Sequence, residues 1–249
     1  MPIEVEKRGR VTEIVFNHPP VNAFGTDIWR VLPGMITDAG KDTDTHCILI
    51  RAEGRGFQGG VDIKEMQAHP ERIVDLNKGN YLTFKAIRDC PVPVVCALSG
   101  FVIGGGVNIS GAADVLIASD DAYFSLPEID RGAMGGASAM MRILPLLKVR
   151  AAFFTGGKVS AQEAYRLGGV EKVVPKDQLL EEARAFCDII ASKSRAALVI
   201  AKEALTGLEE RDMLKGYRWE QGFTLEMYMH EDSQTARDAF VENKGAAKF

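Results

Sequence analysis

The chain has 249 residues, of which 46% are hydrophobic and 26% charged, and its mean hydropathy of −0.04 is that of an ordinary globular protein. A net charge of −4 and a pI near 5.7 provide no basic field for a phosphate backbone, so we expect no nucleic-acid partner. The four cysteines have neither CxxC nor paired spacing, which favours buried thiols in a reducing compartment over a zinc site.

The N-terminal segment MPIEVEKRGR is charged from its fourth residue and lacks the apolar core of a signal peptide, so we expect a cytoplasmic protein. The uncharged stretch 91–113 is long enough to suggest a membrane span. It contains two prolines and five glycines, however, and one unbroken helix in lipid could not satisfy that backbone. We therefore expect no membrane partner and place a buried strand, turn and helix there.

The first part of the chain alternates predicted strands and helices. The segment 3–17 predicts a hairpin that turns at Arg8-Gly9, and HCILIRAEG (46–54) and VPVVCAL (92–98) predict buried strands. Apolar residues at helical spacing predict a helix interrupted by Pro33, with these residues on one face: Ile28, Val31, Leu32, Met35, Ile36 and Ala39. This order implies a mostly parallel sheet, and after Gly135 the pattern is helical almost throughout.

The stretch SGFVIGGGVNIS (99–110) places three glycines between a strand that ends at Leu98 and a helix that starts near Gly105. Such a turn presents unpaired backbone N–H groups and the positive end of a helix dipole, which suits developing negative charge. Close packing of the strand against the helix explains the glycines equally well. The spacing fits neither a dinucleotide-binding nor a P-loop motif.

Two further segments strengthen the catalytic interpretation. EGRGFQGGVDIKEM (53–66) is also glycine-rich, follows a predicted buried strand and opens a helix at Asp62, so two turns can supply two N–H donors to one oxyanion. FSLPEIDRGAMGG (124–136) places Glu128 in a mostly apolar run, where its pKa could be raised and the carboxyl group could act as acid or base. A glutamate on a surface loop is the alternative.

Three segments, FQGGVDIKEM, SGFVIGGGVNISGAADVLIASDDAYFSLPEI and GGKVSAQEAYRLGGVEKVVP, resemble in order and spacing the signatures of the crotonase superfamily, the enoyl-CoA hydratase and isomerase family. The resemblance implies one α/β domain over 1–249 with the crotonase (ClpP-like) fold, a spiral of ββα repeats over 1–190 and a helical trimerisation region over 191–249. It also implies homotrimers that pair into hexamers, and an acyl-CoA substrate whose coenzyme A is part of that substrate. No metal or separate cofactor is expected.

The resemblance also implies roles for individual residues. By motif position, the backbone N–H groups of Val61 and Gly105 hold the thioester oxygen. Family members that hydrate enoyl-CoA use two glutamates; here the second is Glu128, whereas the first position is Asn108, which can hold a water but cannot exchange a proton at neutral pH. This departure argues against ordinary fast hydration. Further predicted substrate contacts are Gly60, Asp62, Lys64, Gly104, Gly106, Arg131, Phe240 and Lys244.

Some of these contacts have plainer alternatives. Lys64 could lie on a solvated helix face, Arg131 could form a structural salt bridge, and the C-terminal residues could belong to a frayed basic tail.

A narrower resemblance rests on EGRGFQGGVDIKEMQ, LPEIDRGAMG and YRWEQGFTLE, which look like the ring-opening acyl-CoA hydrolases of bacterial steroid-nucleus degradation, a branch that likewise lacks the first glutamate. That likeness implies attack of water on a ring ketone β to the thioester, with C–C cleavage that expels the thioester enolate. The alternatives are an enoyl-CoA hydratase or isomerase of lipid catabolism, in which Glu128 works alone or with a water held by Asn108, and a non-catalytic CoA-binding or RNA-binding member of the family.

Overall fold

The computed structural model describes residues 2–209, 213–229 and 231–242. The strands are β1 (Ile3–Arg8), β2 (Val11–Phe16), β3 (Cys47–Ala52), β4 (Val94–Leu98), β5 (Phe101–Ile103), β6 (Val115–Ser119), β7 (Tyr123–Ser125), β8 (Lys158–Ser160) and β9 (Lys172–Val174). The helices are α1 (Thr26–Lys41), α2 (Ile63–Ala68), α3 (Ile73–Arg88), α4 (Gly105–Ala112), α5 (Ala137–Ile143), α6 (Leu146–Thr155), α7 (Ala161–Arg166), α8 (Leu179–Ala191), α9 (Arg195–Glu209), α10 (Met213–Met229) and α11 (Glu231–Val241).

The larger sheet has six strands in the order β1-β2-β3-β4-β6-β9. Its first two strands form the predicted antiparallel hairpin, and every other neighbouring pair is parallel. The central strands β2 and β4 are buried along their whole length, because helices cover both faces of the sheet, as parallel sheets require. The predictions of a hairpin and a mostly parallel sheet are confirmed.

A smaller sheet, in the order β5-β7-β8, produces a repeating unit in which a strand of the large sheet is followed by a strand of the small one and then by a helix. In the earlier units the second strand is reduced to single-residue bridges, Phe24 with Val61 and Gln58 with Val102. The sequence did not predict β5, β8 or β9. Strands β8 and β9 interrupt the helical pattern that was expected after Gly135. These strands have three residues each and exist because distant segments pair with them.

Helix α1 runs through Pro33 without a break. Trp29 and Leu32 are fully buried on its inner face, and α3 approaches so closely at Gly79 that an added Cβ would lie 2.8 Å from the Trp29 Cβ. This packing compensates for the hydrogen bond that proline cannot donate. The prediction for Val31 was wrong, since that side chain is 48% exposed: the buried stripe is centred on Trp29 instead.

The C-terminal helices pack back onto the main core, which includes Tyr217 and Tyr228 of α10. Helix α8 covers the opposite face of the large sheet and contributes Cys187 to a second apolar cluster. All four cysteines are free and buried, as predicted. No helix in the described ranges is both long and apolar enough to cross a membrane. The predicted division of a single domain at residue 190 stays a prediction.

Candidate active site

One pocket brings together the three motifs that the sequence analysis singled out. Its empty space, including the open mouth, is about 920 Å³. The predicted site residues that line it are Gly60, Val61, Gly104, Gly105, Asn108, Glu128 and Arg131. Helices α3 and α10 close the apolar side with Leu76, Tyr217 and Tyr228. The pocket therefore joins both glycine turns to a carboxylate, although the segments concerned are far apart in the chain.

The first glycine turn is held by a side chain that sequence reasoning missed. The buried Gln58 amide donates from Nε2 to the Gly60 carbonyl at 2.7 Å and accepts from the Gly60 N–H at 2.8 Å. The Phe24 N–H also donates to that carbonyl. Gly60 has φ +95°, which a side chain would strain. We call the pair of hydrogen bonds between Gln58 and Gly60 the Gln58 clamp. The sequence could have indicated it, because a polar amide stands there between an apolar residue and two glycines.

The Gln58 clamp decides where the next N–H group points. In a trans peptide the Gly60 carbonyl and the Val61 N–H point in opposite directions, so the Val61 N–H is aimed away from Gln58. Val61 lines the pocket, and its N–H has no acceptor in the described part of the chain. The backbone at this turn is therefore an available hydrogen-bond donor.

The second glycine turn ends in the N-terminus of α4. Gly104 has φ +53°, its N–H donates to the Ser125 carbonyl at 3.2 Å, and its carbonyl accepts from the Asn108 N–H at 3.1 Å. Gly105 is the first helical residue, so its N–H has no partner within the helix. A second N–H donor is thus available in the pocket, at the positive end of a fully buried helix.

Close packing also requires the glycine triplet. A Cβ on Gly104 would lie 2.7 Å from Oε1 of Glu128, a Cβ on Gly105 would overlap the Trp29 ring, and one on Gly106 would lie 2.9 Å from the Gln58 carbonyl oxygen. The two explanations of the triplet are therefore compatible, because the packing brings the bare backbone and the carboxylate together.

Glu128 lies on a short 3-10 turn (Pro127–Arg131), which we call the Glu128 turn. The turn follows β7, and the Glu128 carbonyl accepts from the Ala133 N–H at 3.0 Å. The side chain is partly buried and lies against Gly104, next to the N-terminus of α4. A surface-loop position, the alternative considered above, does not describe it. The predicted rise in its pKa stays a prediction.

The orientation of the Asn108 amide is fixed by a relay of hydrogen bonds. Asn80 donates from Nδ2 to the Leu76 carbonyl at 3.2 Å, which leaves its Oδ1 to accept from Nδ2 of Asn108 at 3.3 Å. Nδ2 of Asn108 also lies 3.1 Å from the Tyr217 hydroxyl. Oδ1 of Asn108 is then buried without a hydrogen-bond partner among the described residues, in a side chain only 8% exposed. Because buried acceptors are normally paired, this oxygen is suited to a water or to a ligand donor.

Sequence reasoning also missed Asn80. It lies on the buried face of α3, where a polar residue among apolar ones was the signal.

The other predicted contacts have different local roles. The Asp62 carboxylate caps α2 by accepting from the Lys64 and Glu65 N–H groups, and the Lys64 side chain is exposed. Arg131 forms no ion pair within the described residues; its guanidinium carbon lies 4.4 Å from the centroid of the Phe240 ring. Burial lowers the pKa of Arg131, although the nearby charge of Glu128 acts to raise it. Lys244 lies outside the described residues. Substrate contacts of these residues stay predictions.

The geometry supports a defined type of chemistry. Two backbone N–H groups can stabilise an oxyanion, while the Glu128 carboxylate beside them can accept or return a proton. The Asn108 Oδ1 can accept a hydrogen bond from a water without taking its proton. The arrangement therefore suits an enolate or tetrahedral intermediate whose formation requires one base.

Known proteins resemble this chain over most of its length. The sequence profile of the enoyl-CoA hydratase/isomerase family matches residues 6–249. A relative from Rhodococcus jostii (strain RHA1), named (7aS)-7a-methyl-1,5-dioxo-2,3,5,6,7,7a-hexahydro-1H-indene-carboxyl-CoA hydrolase, is 44% identical over 93% of this chain and 91% of its own length. A protein of the same name from Mycobacterium tuberculosis (strain ATCC 25618 / H37Rv) is 41% identical over 93% of this chain and 95% of its own length.

A solved structure shows the same fold. The crystal structure of an enoyl-CoA hydratase/isomerase from Mycobacterium paratuberculosis has a TM-score of 0.88 and covers 95% of this chain and 97% of that chain, at 24% sequence identity.

Proposed function

Because the chain belongs to the enoyl-CoA hydratase/isomerase family, we propose that it is a carbon–carbon hydrolase that opens the ring of a cyclic β-keto acyl-CoA derived from a steroid nucleus. The family and the crotonase fold predicted from the sequence are confirmed. The observation that carries the proposal is that one carboxylate, Glu128, lines the same pocket as the Asn108 amide, which hydrogen bonds hold in one orientation. The names of the two hydrolase relatives support the ring-opening reaction over enoyl-CoA hydration.

In the first step, Glu128 takes a proton from a water whose oxygen attacks the ring ketone carbon. Oδ1 of Asn108 accepts a hydrogen bond from the same water and orients it. The C–C bond between the former ketone carbon and the thioester α-carbon then breaks, and its electron pair becomes the thioester enolate. The N–H groups of Val61 and Gly105 hold the enolate oxygen, where they stabilise charge that the ground state lacks.

In the last step the α-carbon receives the proton from Glu128, and the former ketone carbon becomes a carboxylic acid that ionises. One water is consumed in total, and the base returns to its starting state. Each step uses groups of the chain alone, so we also propose that no metal or separate cofactor takes part. The expected result is full activity after dialysis against a chelator.

We further propose a homotrimer, or a hexamer of paired trimers, in the cytoplasm. Large apolar side chains are exposed on the outer helices, which supports burial against other copies. These side chains are Leu147, Phe154, Ile189, Ile200, Leu205 and Met229. Light scattering on the purified protein tests the assembly, and a monomer at micromolar concentration would contradict it. The free buried thiols favour a reducing compartment.

The test of the reaction is a mass-spectrometric time course with two substrates, crotonyl-CoA and a bicyclic β-keto acyl-CoA. Hydration and ring opening each add one water, so the substrate that gains it identifies the reaction. We expect gain on the cyclic ketone alone. Rapid gain on crotonyl-CoA alone would make the protein an ordinary hydratase, and thioester binding without turnover of either would favour a non-catalytic role.

A further inference from the structure

Arg237 of α11 lines the pocket but takes no part in the chemistry described so far. Its side chain is only 5% exposed. Nη2 donates to Oε1 of Gln234 at 2.6 Å, and Nη1 donates to the Ser233 hydroxyl and, at 3.4 Å, to the Tyr228 carbonyl. The guanidinium carbon lies 3.9 Å from the centroid of the Tyr228 ring. Every one of these partners is neutral.

Arg237 therefore forms no ion pair with the side chains that the structure describes. No carboxylate lies within ion-pair distance of it among the described side chains, and its buried Nε has no hydrogen-bond partner among them. The nearby Asp238 carboxylate accepts from Gln67 and Gln234 instead. Burial lowers the pKa of Arg237, although a guanidinium stays charged at neutral pH. A buried cation of this kind is costly unless an anion from outside the chain joins it.

The packing of α11 explains why Arg237 reaches the site. The Ser233 hydroxyl donates to the Gly132 carbonyl, directly after the Glu128 turn, and a Cβ on Gly132 would overlap the backbone of Ser233. On the same helix, Phe240 lies under the guanidinium of Arg131. Helix α11 and the Glu128 turn thus form one wall, which presents the guanidinium groups of Arg131 and Arg237 to the pocket without an ion-pair partner in the described chain.

Resting on the proposed function, we infer that Arg237, assisted by Arg131, binds the carboxylate that ring opening creates. The substrate ketone is neutral, but attack of water turns its oxygen into an oxyanion, and C–C cleavage turns the same carbon into a carboxylate. A guanidinium binds either species through charge-assisted hydrogen bonds, and the unpartnered Nε–H of Arg237 is one available donor. Hydration of an enoyl-CoA creates only a neutral alcohol, so this anion subsite matches ring opening and not hydration.

The inference is tested by binding, without turnover. Adipoyl-CoA and hexanoyl-CoA have the same chain length, but one ends in a carboxylate and the other in a methyl group. By titration calorimetry we expect the wild-type protein to bind adipoyl-CoA at least about tenfold more tightly, because hydrogen bonds to charged groups are the strong ones. Arg237→Gln should abolish this preference without weakening hexanoyl-CoA binding, whereas Arg237→Lys should keep part of it.

The control is Arg30→Gln, since Arg30 is exposed on α1 and pairs with Asp27 outside the pocket, and it should leave the preference unchanged. Equal binding of the two thioesters by the wild-type protein would overturn the inference even if Arg237→Gln did not fold. A preference that survives in Arg237→Gln would overturn it too. Ring opening is measured separately. If the protein opens the ring but binds both thioesters equally, the proposed function stands and the anion subsite is wrong. If it prefers adipoyl-CoA but does not open the ring, the anion subsite stands and the proposed function is wrong.

Discussion

Among the described residues that line the pocket, Glu128 is the one carboxylate, so the proposed chemistry depends on it. Glu128→Gln should lower the single-turnover rate of ring opening by roughly 10²–10⁴-fold, because the amide keeps the shape of the side chain but cannot accept the proton. Binding of the thioester should change little. Rapid-quench mass spectrometry gives the rate and calorimetry the affinity. Glu71→Gln, on an exposed turn, is the control, and a wild-type rate in Glu128→Gln would exclude Glu128 as the base.

Asn80 acts through Asn108 and is therefore a positioning residue. Asn80→Ala removes the acceptor that orients the Asn108 amide, so we expect kcat to fall about tenfold with little change in KM, in line with the worth of one hydrogen bond. The same substitution should have almost no effect in an Asn108→Ala background, because nothing is left to orient. Thr83→Val on the same helix is the matched control, since the Thr83 hydroxyl donates to the Gly79 carbonyl and has no other partner in the part of the chain that the structure describes. If the two substitutions lower kcat additively in the Asn80→Ala/Asn108→Ala double variant, Asn80 does not act through Asn108.

At the scale of elements, the start of α4 is fitted against α1. Gly105→Ala places a Cβ in the Trp29 ring, so we expect a loss of about 1–3 kcal/mol in the free energy of unfolding. Trp29→Phe removes the ring atoms concerned and leaves a cavity of its own. The double variant should therefore be more stable than the sum of the single effects, by at least about 0.5 kcal/mol in a urea-unfolding cycle. Gly34→Ala, where an added Cβ meets nothing within 4 Å, is the control, and strict additivity would contradict this account.

The sequence predicts those parts of the fold and the site whose signal lies within one short segment of the chain. Both glycine turns and the Glu128 turn were found because their residue types and order carry the information within one short stretch. Strand β5 was not, since three residues become a strand only when β7 pairs with them. Gln58, Asn80 and Arg237 were missed for the same reason: each is an ordinary polar residue until a distant segment gives it a partner.

At the scale of the whole molecule, one buried carboxylate joins the N-terminal hairpin to α8. Glu13 of β2 is fully buried and accepts from Nε of Arg51 on β3 at 2.7 Å and from Nε of Arg184 on α8 at 2.7 Å. Arg8 of β1 adds a third contact. Burial by itself would raise the pKa of Glu13, but the hydrogen bonds from Arg184 and Arg51 outweigh it and hold the pKa at about 2.

The depressed pKa of Glu13 links the stability of the molecule to pH. Because the folded value lies below the ordinary 4.5, the ionised carboxylate stabilises the fold above pH 4.5, and this contribution is lost as the pH falls from 4.5 toward 2. The difference corresponds to about 3 kcal/mol at most. Glu13→Gln should therefore be less stable than wild type at pH 7, and the gap should narrow between pH 5 and pH 3.

Urea unfolding at pH 7, 5, 4 and 3, at one fixed protein concentration, measures this gap. Glu4→Gln, on the exposed face of β1, is the control and should follow the wild-type profile at every pH. Since the three arginines stay charged over this whole range, the pH dependence of the network comes from its carboxylates, and Glu13→Gln removes the buried one. A constant difference between Glu13→Gln and wild type from pH 7 to pH 3 would mean that the network acts through packing alone, and that its charge does not tie α8 to the sheet.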